Sequence, residues 1–114
     1  MTPREKVIQE EIRFMLAHAG VRVFQHSVWP CHVCGSRPRP QTGLGAYTAD
    51  LICVARPFGR FCAIEVKTPD KRNAKRDAPQ REWAEWVRRF GGVAGVATNV
   101  DEAYALIEQA RELP

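Results

Sequence analysis

The sequence has no apolar run approaching the roughly 20 residues that a membrane-spanning helix needs; stretches such as Leu51–Ala55 are far shorter. Its first residues, MTPREKVIQEE, are charged and lack the apolar segment of a secretion signal. These two absences give a cytoplasmic location as the default expectation. At 114 residues there is little room for a second domain, and no internal repeat is visible. The four cysteines come without a secretory context, so a disulfide framework is not expected. A complete zinc set is missing too. Cys31 and Cys34 form a CHVC pair with knuckle-like spacing, but no second CxxC or HxxxH follows, and only His26 and His32 lie near. That incomplete set favours two free thiols over Zn²⁺, with a zinc shared across a dimer as the alternative. Cys53 and Cys62 sit in apolar runs and read as small buried side chains.

What is present is an ordinary globular composition, 45% hydrophobic and 26% charged, which argues against global disorder. A chain this short buries only a modest core, so a partner subunit would help to stabilise it. The net charge of +4 is unevenly spread. Residues 37–89 hold 12 Lys/Arg against 6 Asp/Glu, whereas the remainder holds 5 against 7. The basic excess therefore centres on the middle of the chain, where a polyanion would be held.

Hydrophobic periodicity orders the elements. Residues 3–19 read as an amphipathic helix with Ile8, Ile12, Met15, Leu16 and Ala19 on its buried face. Thr2 serves as N-cap, Pro3 suits the first turn and Gly20 ends the helix. A strand is expected over about 21–28, then a long loop, 29–47, rich in Pro, Gly, Ser and Arg. DLICVA (50–55) and RFCAIEVK (60–67), separated by Arg56-Pro-Phe-Gly59, read as a hairpin whose continuous hydrophobicity suggests a sheet covered on both faces. A basic loop leads to a helix over about 78–90 that carries Trp83, Trp86, Val87 and Phe90 on one side. A short buried strand follows at 93–98, then a last helix opened by Asn99 with Glu102 three residues on as a capping box. The order is α-β-β-β-α-β-α, with the strand–helix–strand unit 60–98 as a right-handed parallel crossover.

The chemistry lies in Asp50, followed 15 residues later by Glu65-Val66-Lys67. Alternation on a strand places Glu65 and Lys67 on one face, about 7 Å apart. The hairpin returns Asp50, at the start of one strand, to the end of the strand that carries Glu65. Two carboxylates and an ammonium then converge at the edge of an apolar sheet, where unpartnered charges would each cost several kcal/mol. A divalent cation resolves the conflict. Asp50 and Glu65 offer the hard oxygen ligands that Mg²⁺ or Mn²⁺ prefers, a coordinated cation makes water a nucleophile near neutral pH, and Lys67 would orient that water or neutralise a phosphate. The plainer reading is a strand-end ion pair beside a turn residue. Gln80, at the start of the helix after the basic loop, could reach the lysine, the water or a phosphate, although Asp77 and Gln80 also form a capping box. Glu5 could add a carboxylate to the metal, yet Thr2-Pro-Arg-Glu5 is itself a capping box; Gln9, one turn on, shares its face.

These residues resemble the VRR-NUC family of the PD-(D/E)XK nuclease superfamily. The similarity runs through EKVIQEEIRFML and GVRVF, then TADLICV, CAIEVKTP, Gln80 with its Trp-rich helix, and GGVAGVATNVDEA. It implies one nuclease domain over residues 1–114, an α/β restriction-endonuclease-like αβββαβα core whose mixed sheet is flanked by helices, with 29–47 as an inserted loop. It also implies Mg²⁺- or Mn²⁺-dependent phosphodiester hydrolysis: Asp50 and Glu65 as metal ligands, the Val66 carbonyl as a third, Lys67 as the catalytic lysine, and Gln80 and Glu5 at polar positions the family uses. Stand-alone members resemble structure-selective nucleases, including Holliday-junction resolvases that work as dimers, and are often found in phages. The implied setting is a bacterial or phage-infected cell. The chain departs from the family in reading Tyr47-Thr-Ala-Asp50 where many relatives have Gly-x-Pro-Asp, and in the unexplained CHVCGSRPRP loop.

Two basic clusters would flank such a site: Lys71, Arg72, Lys75 and Arg76 after the ExK strand, and Arg37 and Arg39 in the long loop. There they would contact backbone phosphates without reading sequence. His18 reads as a surface residue, and Trp83 and Trp86 as core or subunit interface. The resulting expectation is a DNA endonuclease for branched or flapped DNA, acting as a homodimer. The alternatives are a nucleic-acid-binding or zinc-stabilised module without catalysis, and a sequence-specific restriction-type enzyme.

Overall fold

The computed structural model describes residues 2–26, 48–71 and 78–112. The elements follow as α1 (Pro3–His18), β1 (Arg22–Gln25), β2 (Leu51–Ala55), β3 (Arg60–Val66), a short 3-10 turn (Pro69–Lys71), α2 (Ala78–Arg89), β4 (Val93–Ala97) and α3 (Val100–Arg111). They form a small α/β domain around one mixed four-stranded sheet of order β1-β2-β3-β4. β1 and β3 both run antiparallel to β2, and β3 pairs with β4 in parallel.

Local signals explain the element ends. Thr2 caps α1: its hydroxyl oxygen accepts from the Glu5 N–H at 3.2 Å and donates to the Glu5 carboxylate at 3.3 Å. At the hairpin, Gly59 takes φ +66°, a left-handed conformation that costs glycine nothing, and its N–H reaches the Ala55 carbonyl at 2.8 Å. Asn99 caps α3 by accepting from the Glu102 N–H at 2.8 Å. The reciprocal arm of that cap lands one residue earlier than the sequence suggests, with the Thr98 N–H donating to the Glu102 carboxylate at 2.8 Å.

Alternation along the strands divides the core in two. Leu51, Cys53, Cys62, Ile64 and Val66 pack with Ile12 and Leu16 of α1 and Leu106 and Ile107 of α3. On the other face, Ile52, Ala63 and Ala94 pack with Val87 of α2, flanked by Phe61, Trp83 and Ala84. The sheet is thus covered on both faces, but α2 leaves Val54 39% exposed. Arg60 ties the far end together, donating to the carbonyls of Gly91 at 2.7 Å and Gln109 at 3.2 Å.

Three expectations need correction. β1 is shorter than 21–28: it ends at Gln25, where the His26 N–H turns to the Asp50 carbonyl at 2.8 Å, and residues 27 and 28 lie outside the described residues. The buried stripe of α1 is Glu5, Gln9, Ile12 and Leu16, while Met15 and Ala19 are exposed. Seating Ile12 and Leu16 between α3 and the sheet brings the residues one and two turns earlier, Gln9 and Glu5, onto the same side. Of the two readings for Trp86, core or subunit interface, core is excluded: it is 50% exposed and rests against Phe90, itself 76% exposed, with ring centroids 4.9 Å apart. α2 has the sheet on one side and, among the described residues, no helix opposite its Trp86–Phe90 side. His18 is exposed, as expected, and stacks on Phe14. Among the described residues no helix is long and apolar enough to cross a membrane.

Candidate active site

The start of β2, the end of β3 and the end of β4 lie at one end of the sheet, because β2 runs against β3 and β4 runs with it. Polar residues gather there inside an otherwise apolar layer. Thr48 precedes β2, Thr68 follows β3 and Thr98 follows β4, and all three are buried. The carboxyl ends of parallel strands are where open α/β sheets place their ligands.

Asp50 is anchored by backbone: its Oδ2 accepts from the Val66 N–H at 2.9 Å. This bond crosses from the start of β2 to the end of β3 and fixes the carboxyl beside Glu65, one step beyond the Leu51–Ile64 pair of the two strands. Burial pushes the Asp50 carboxyl above its ordinary range, and the Glu5 charge adds to the rise. The Val66 N–H, the Glu65 hydrogen bond and the Lys67 ammonium oppose it without cancelling it. A carboxyl held against its own preference for water, next to a second carboxyl, is the environment that a cation stabilises.

Glu65 is the hub of the cluster. Its Oε1 lies 3.8 Å from the Lys67 Nζ and accepts from the Gln80 Nε2 at 3.2 Å. Both partners of the ion pair are nearly sealed, with 12% of the Glu65 side chain and 11% of the Lys67 side chain exposed. Desolvating two charges to this extent costs several kcal/mol per ion, only partly returned by their attraction. Gln80 holds one Glu65 oxygen with its amide nitrogen, while its own carbonyl oxygen is buried and has no hydrogen-bond partner among the described residues. An acceptor oxygen left this way wants a donor or a cation.

The structure thus brings together Asp50, Glu65, Lys67 and Gln80, with Val66 between the two carboxylates as the residue whose N–H holds one of them. Glu5 sits at the margin. It is buried, keeps its capping contact with Thr2, and faces the Lys71 ammonium at 4.0 Å. Lys71 therefore neutralises Glu5, in addition to any part it plays toward phosphate. Gln9 is fully buried one turn along. Arg72, Lys75, Arg76, Arg37, Arg39, Cys31 and Cys34 lie outside the described residues. Asp77 does too, so the proposed capping box with Gln80 is not visible, whereas the contact of Gln80 with Glu65 is.

The donor set suits a hard divalent ion: oxygen atoms from Asp50, Glu65 and the Val66 carbonyl, with the orphaned Gln80 oxygen near. Among the described residues no group of three or more His, Cys, Asp or Glu side chains is placed to hold a metal ion, so backbone, water or substrate oxygens would complete such a shell.

One feature was not legible beforehand. A cavity of about 310 Å³ opens beside Glu65, Lys67 and Gln80 and runs between α2 and the β3–β4 strands. Ala63, Ala84 and Ala94 leave the space, Trp83 forms a wall, and Arg81, Glu85 and Arg88 stand along α2. Its sequence signal was the run of small residues facing a tryptophan helix, which reads equally well as tight packing.

Comparison of the chain with protein-family models, with curated proteins and with solved structures returns no match.

Proposed function

We propose that this chain is a metal-dependent DNA endonuclease of the restriction-endonuclease-like αβββαβα kind, hydrolysing phosphodiester bonds in branched DNA such as a Holliday junction or a flap. One observation carries the reading: the Asp50 carboxyl, held by the Val66 N–H at 2.9 Å, stands beside Glu65 in a desolvated corner, with the Lys67 ammonium 3.8 Å from Glu65. Structural ion pairs rarely gather two acids around one buried base, since removing charge would be the cheaper arrangement. The likeness of the sequence to the VRR-NUC family points the same way.

In this reading Asp50 and Glu65, with the Val66 carbonyl, hold Mg²⁺ or Mn²⁺. When bound, the cation supplies Lewis-acid stabilisation of the charge that develops on the phosphate. The chain's own groups do the positioning. The Val66 N–H fixes the Asp50 rotamer, and the Gln80 amide fixes Glu65. Lys67, held by Glu65, directs a positive charge at the reacting phosphate and its attacking water. Lys71, with Arg72, Lys75 and Arg76 beyond it and Arg37 and Arg39 in the long loop, supplies cations for the DNA backbone. Zn²⁺ at Cys31 and Cys34 forms no part of this chemistry. A homodimer belongs to the proposal, supported by the short chain and by the exposed aromatic rings of Phe14, Phe24, Trp86 and Phe90.

The test is a panel of hairpin, flap, Y-form and four-way-junction DNAs incubated with Mg²⁺ or Mn²⁺. Cleavage of at least one substrate is expected, lost in Asp50→Ala and Lys67→Ala while DNA binding persists. Binding without cleavage of any substrate would leave a nucleic-acid-binding module, and cleavage tied to a base sequence would indicate a restriction-type enzyme.

A further inference from the structure

We propose that the cavity between α2 and the β3–β4 strands receives one unstacked nucleobase of the DNA strand being cut, next to the scissile phosphate. The proposal rests on the nuclease reading and names how its substrate is seated. Position comes first: Glu65, Lys67 and Gln80 belong both to the proposed metal corner and to the cavity wall. A nucleotide whose phosphate meets Lys67 has its own base within reach of this opening.

Size and chemistry then select the occupant. About 310 Å³ lies at the lower end of ligand-sized pockets and suits one base rather than a base pair. The depth of the cavity is alkyl and aromatic, from Ala63, Ala84, Ala94 and the Trp83 indole. Such walls cannot solvate a phosphate, but they accept a flat aromatic ring, and base–indole stacking is a common means of holding an extruded base. Along α2, Arg88 is engaged by the Ala94 carbonyl at 2.8 Å and by the Glu85 carboxylate, so neither group offers a full charge to a phosphate inside the cavity. That same carboxylate can accept from the exocyclic amine of a base. Phe61 of β3 lies 6.4 Å from Trp83 with the ring planes tilted by 55°, so the indole is braced from the sheet side.

A base that must leave the stack favours substrates where stacking is already broken, which links the cavity to junctions, flaps and single strands. The test uses the full chain with Ca²⁺, a short single-stranded oligonucleotide, and a set in which an abasic residue is walked along the strand. Affinity is read by fluorescence anisotropy. Wild type should lose about tenfold or more at one abasic position and little elsewhere. Ala84→Met, which fills the cavity, should bind the intact strand as weakly as wild type binds that abasic strand, and show no further loss on it. Ala94→Val serves as a second filler, and thermal melts identify any variant that has lost its fold. Equal affinity for intact and abasic strands would overturn the proposal, as would an unaffected pair of filled variants. Tight, cavity-dependent binding of free deoxynucleoside monophosphates without any abasic effect would also overturn it, assigning the space to a free nucleotide. The cleavage panel reports separately: cleavage with no abasic effect retires the base pocket and leaves the nuclease reading standing, whereas an abasic effect without cleavage retires the nuclease reading and, with it, the place of the base beside a scissile phosphate, leaving only a base-binding cavity.

Discussion

The two faces of the sheet are built from alternate residues of the same strands, yet they differ in kind. Toward α1 and α3, Cys53, Cys62, Ile64 and Val66 meet Ile12, Leu16 and Ile107, and these side chains are fully buried. Toward α2, Ile52 and Phe61 pack at one end, but the β3 and β4 residues beside the cavity are small, Ala63 and Ala94, and at the strand end they give way to Glu65 and Lys67. One face spends its positions on packing; the other leaves space and retains charge. The lesson is that a period of two lets a short chain keep stability and chemistry on opposite sides of one strand, so that β3 serves both.

The contrast breaks first at the carboxylates. Asp50→Asn or Glu65→Gln should lower cleavage by about 10³-fold or more, the scale of removing metal-mediated charge stabilisation worth several kcal/mol, while leaving the circular dichroism spectrum and the cooperative melt in place. On the packed face the effect reverses. Ile107→Ala should cost about 2–5 kcal/mol of stability in a urea melt, with the cleavage rate of the remaining folded protein unchanged. A large change in kcat for folded Ile107→Ala would show that the faces are not independent.

A smaller and more pointed effect concerns pH. Because burial raises the folded-state pKa of Asp50 above its ordinary 3.8, the folded protein binds that proton more tightly than the unfolded chain does. Stability from this group is therefore present at acid pH and declines as pH rises through the folded pKa. Asp50→Asn keeps an acceptor for the Val66 N–H and removes the charge. In metal-free buffer it should stabilise the protein at neutral pH by about 1 kcal/mol, and the gain should vanish on acidification below the unfolded pKa. A site that gains stability when its charge is removed is one kept for function.

Gln80→Ala should reduce kcat by about tenfold, the lower range for removing a partner that orients a metal ligand, with little change in KM, since Gln80 holds Glu65 rather than the DNA. Smallest is a chemical signature of the packed face. Cys53 and Cys62 lie directly across from each other on β2 and β3 as free thiols, and burial pushes both up to about 12. They should resist iodoacetamide at pH 8 in the native protein and react in guanidinium, as mass spectrometry of the peptides would read.

Much of this division was legible in the sequence. Strand alternation put Glu65 beside Lys67, and the hairpin put Asp50 opposite them, because both follow from short-range geometry. The order of elements followed from periodicity and caps for the same reason. The docked face of α1 was not legible. Glu5 and Gln9 are polar, and a polar residue in a buried stripe is visible only when its partner, here Lys71 for Glu5, arrives from elsewhere in the fold. The Trp86–Phe90 pair misled in the opposite sense, since an apolar stripe implies burial only if something lies against it. The cavity was hidden because alanines signal compactness and emptiness alike; only the distance between α2 and the sheet decides which.

In the proposed site Asp50 and Glu65 together grip one hard divalent cation. Titrating Mn²⁺ into the protein, followed by electron paramagnetic resonance of the free ion, tests it without any substrate. Saturable binding of one ion by wild type is expected, lost in both Asp50→Asn and Glu65→Gln and retained in Gln80→Ala. Binding of equal strength in either carboxylate variant, or none in wild type, would contradict it.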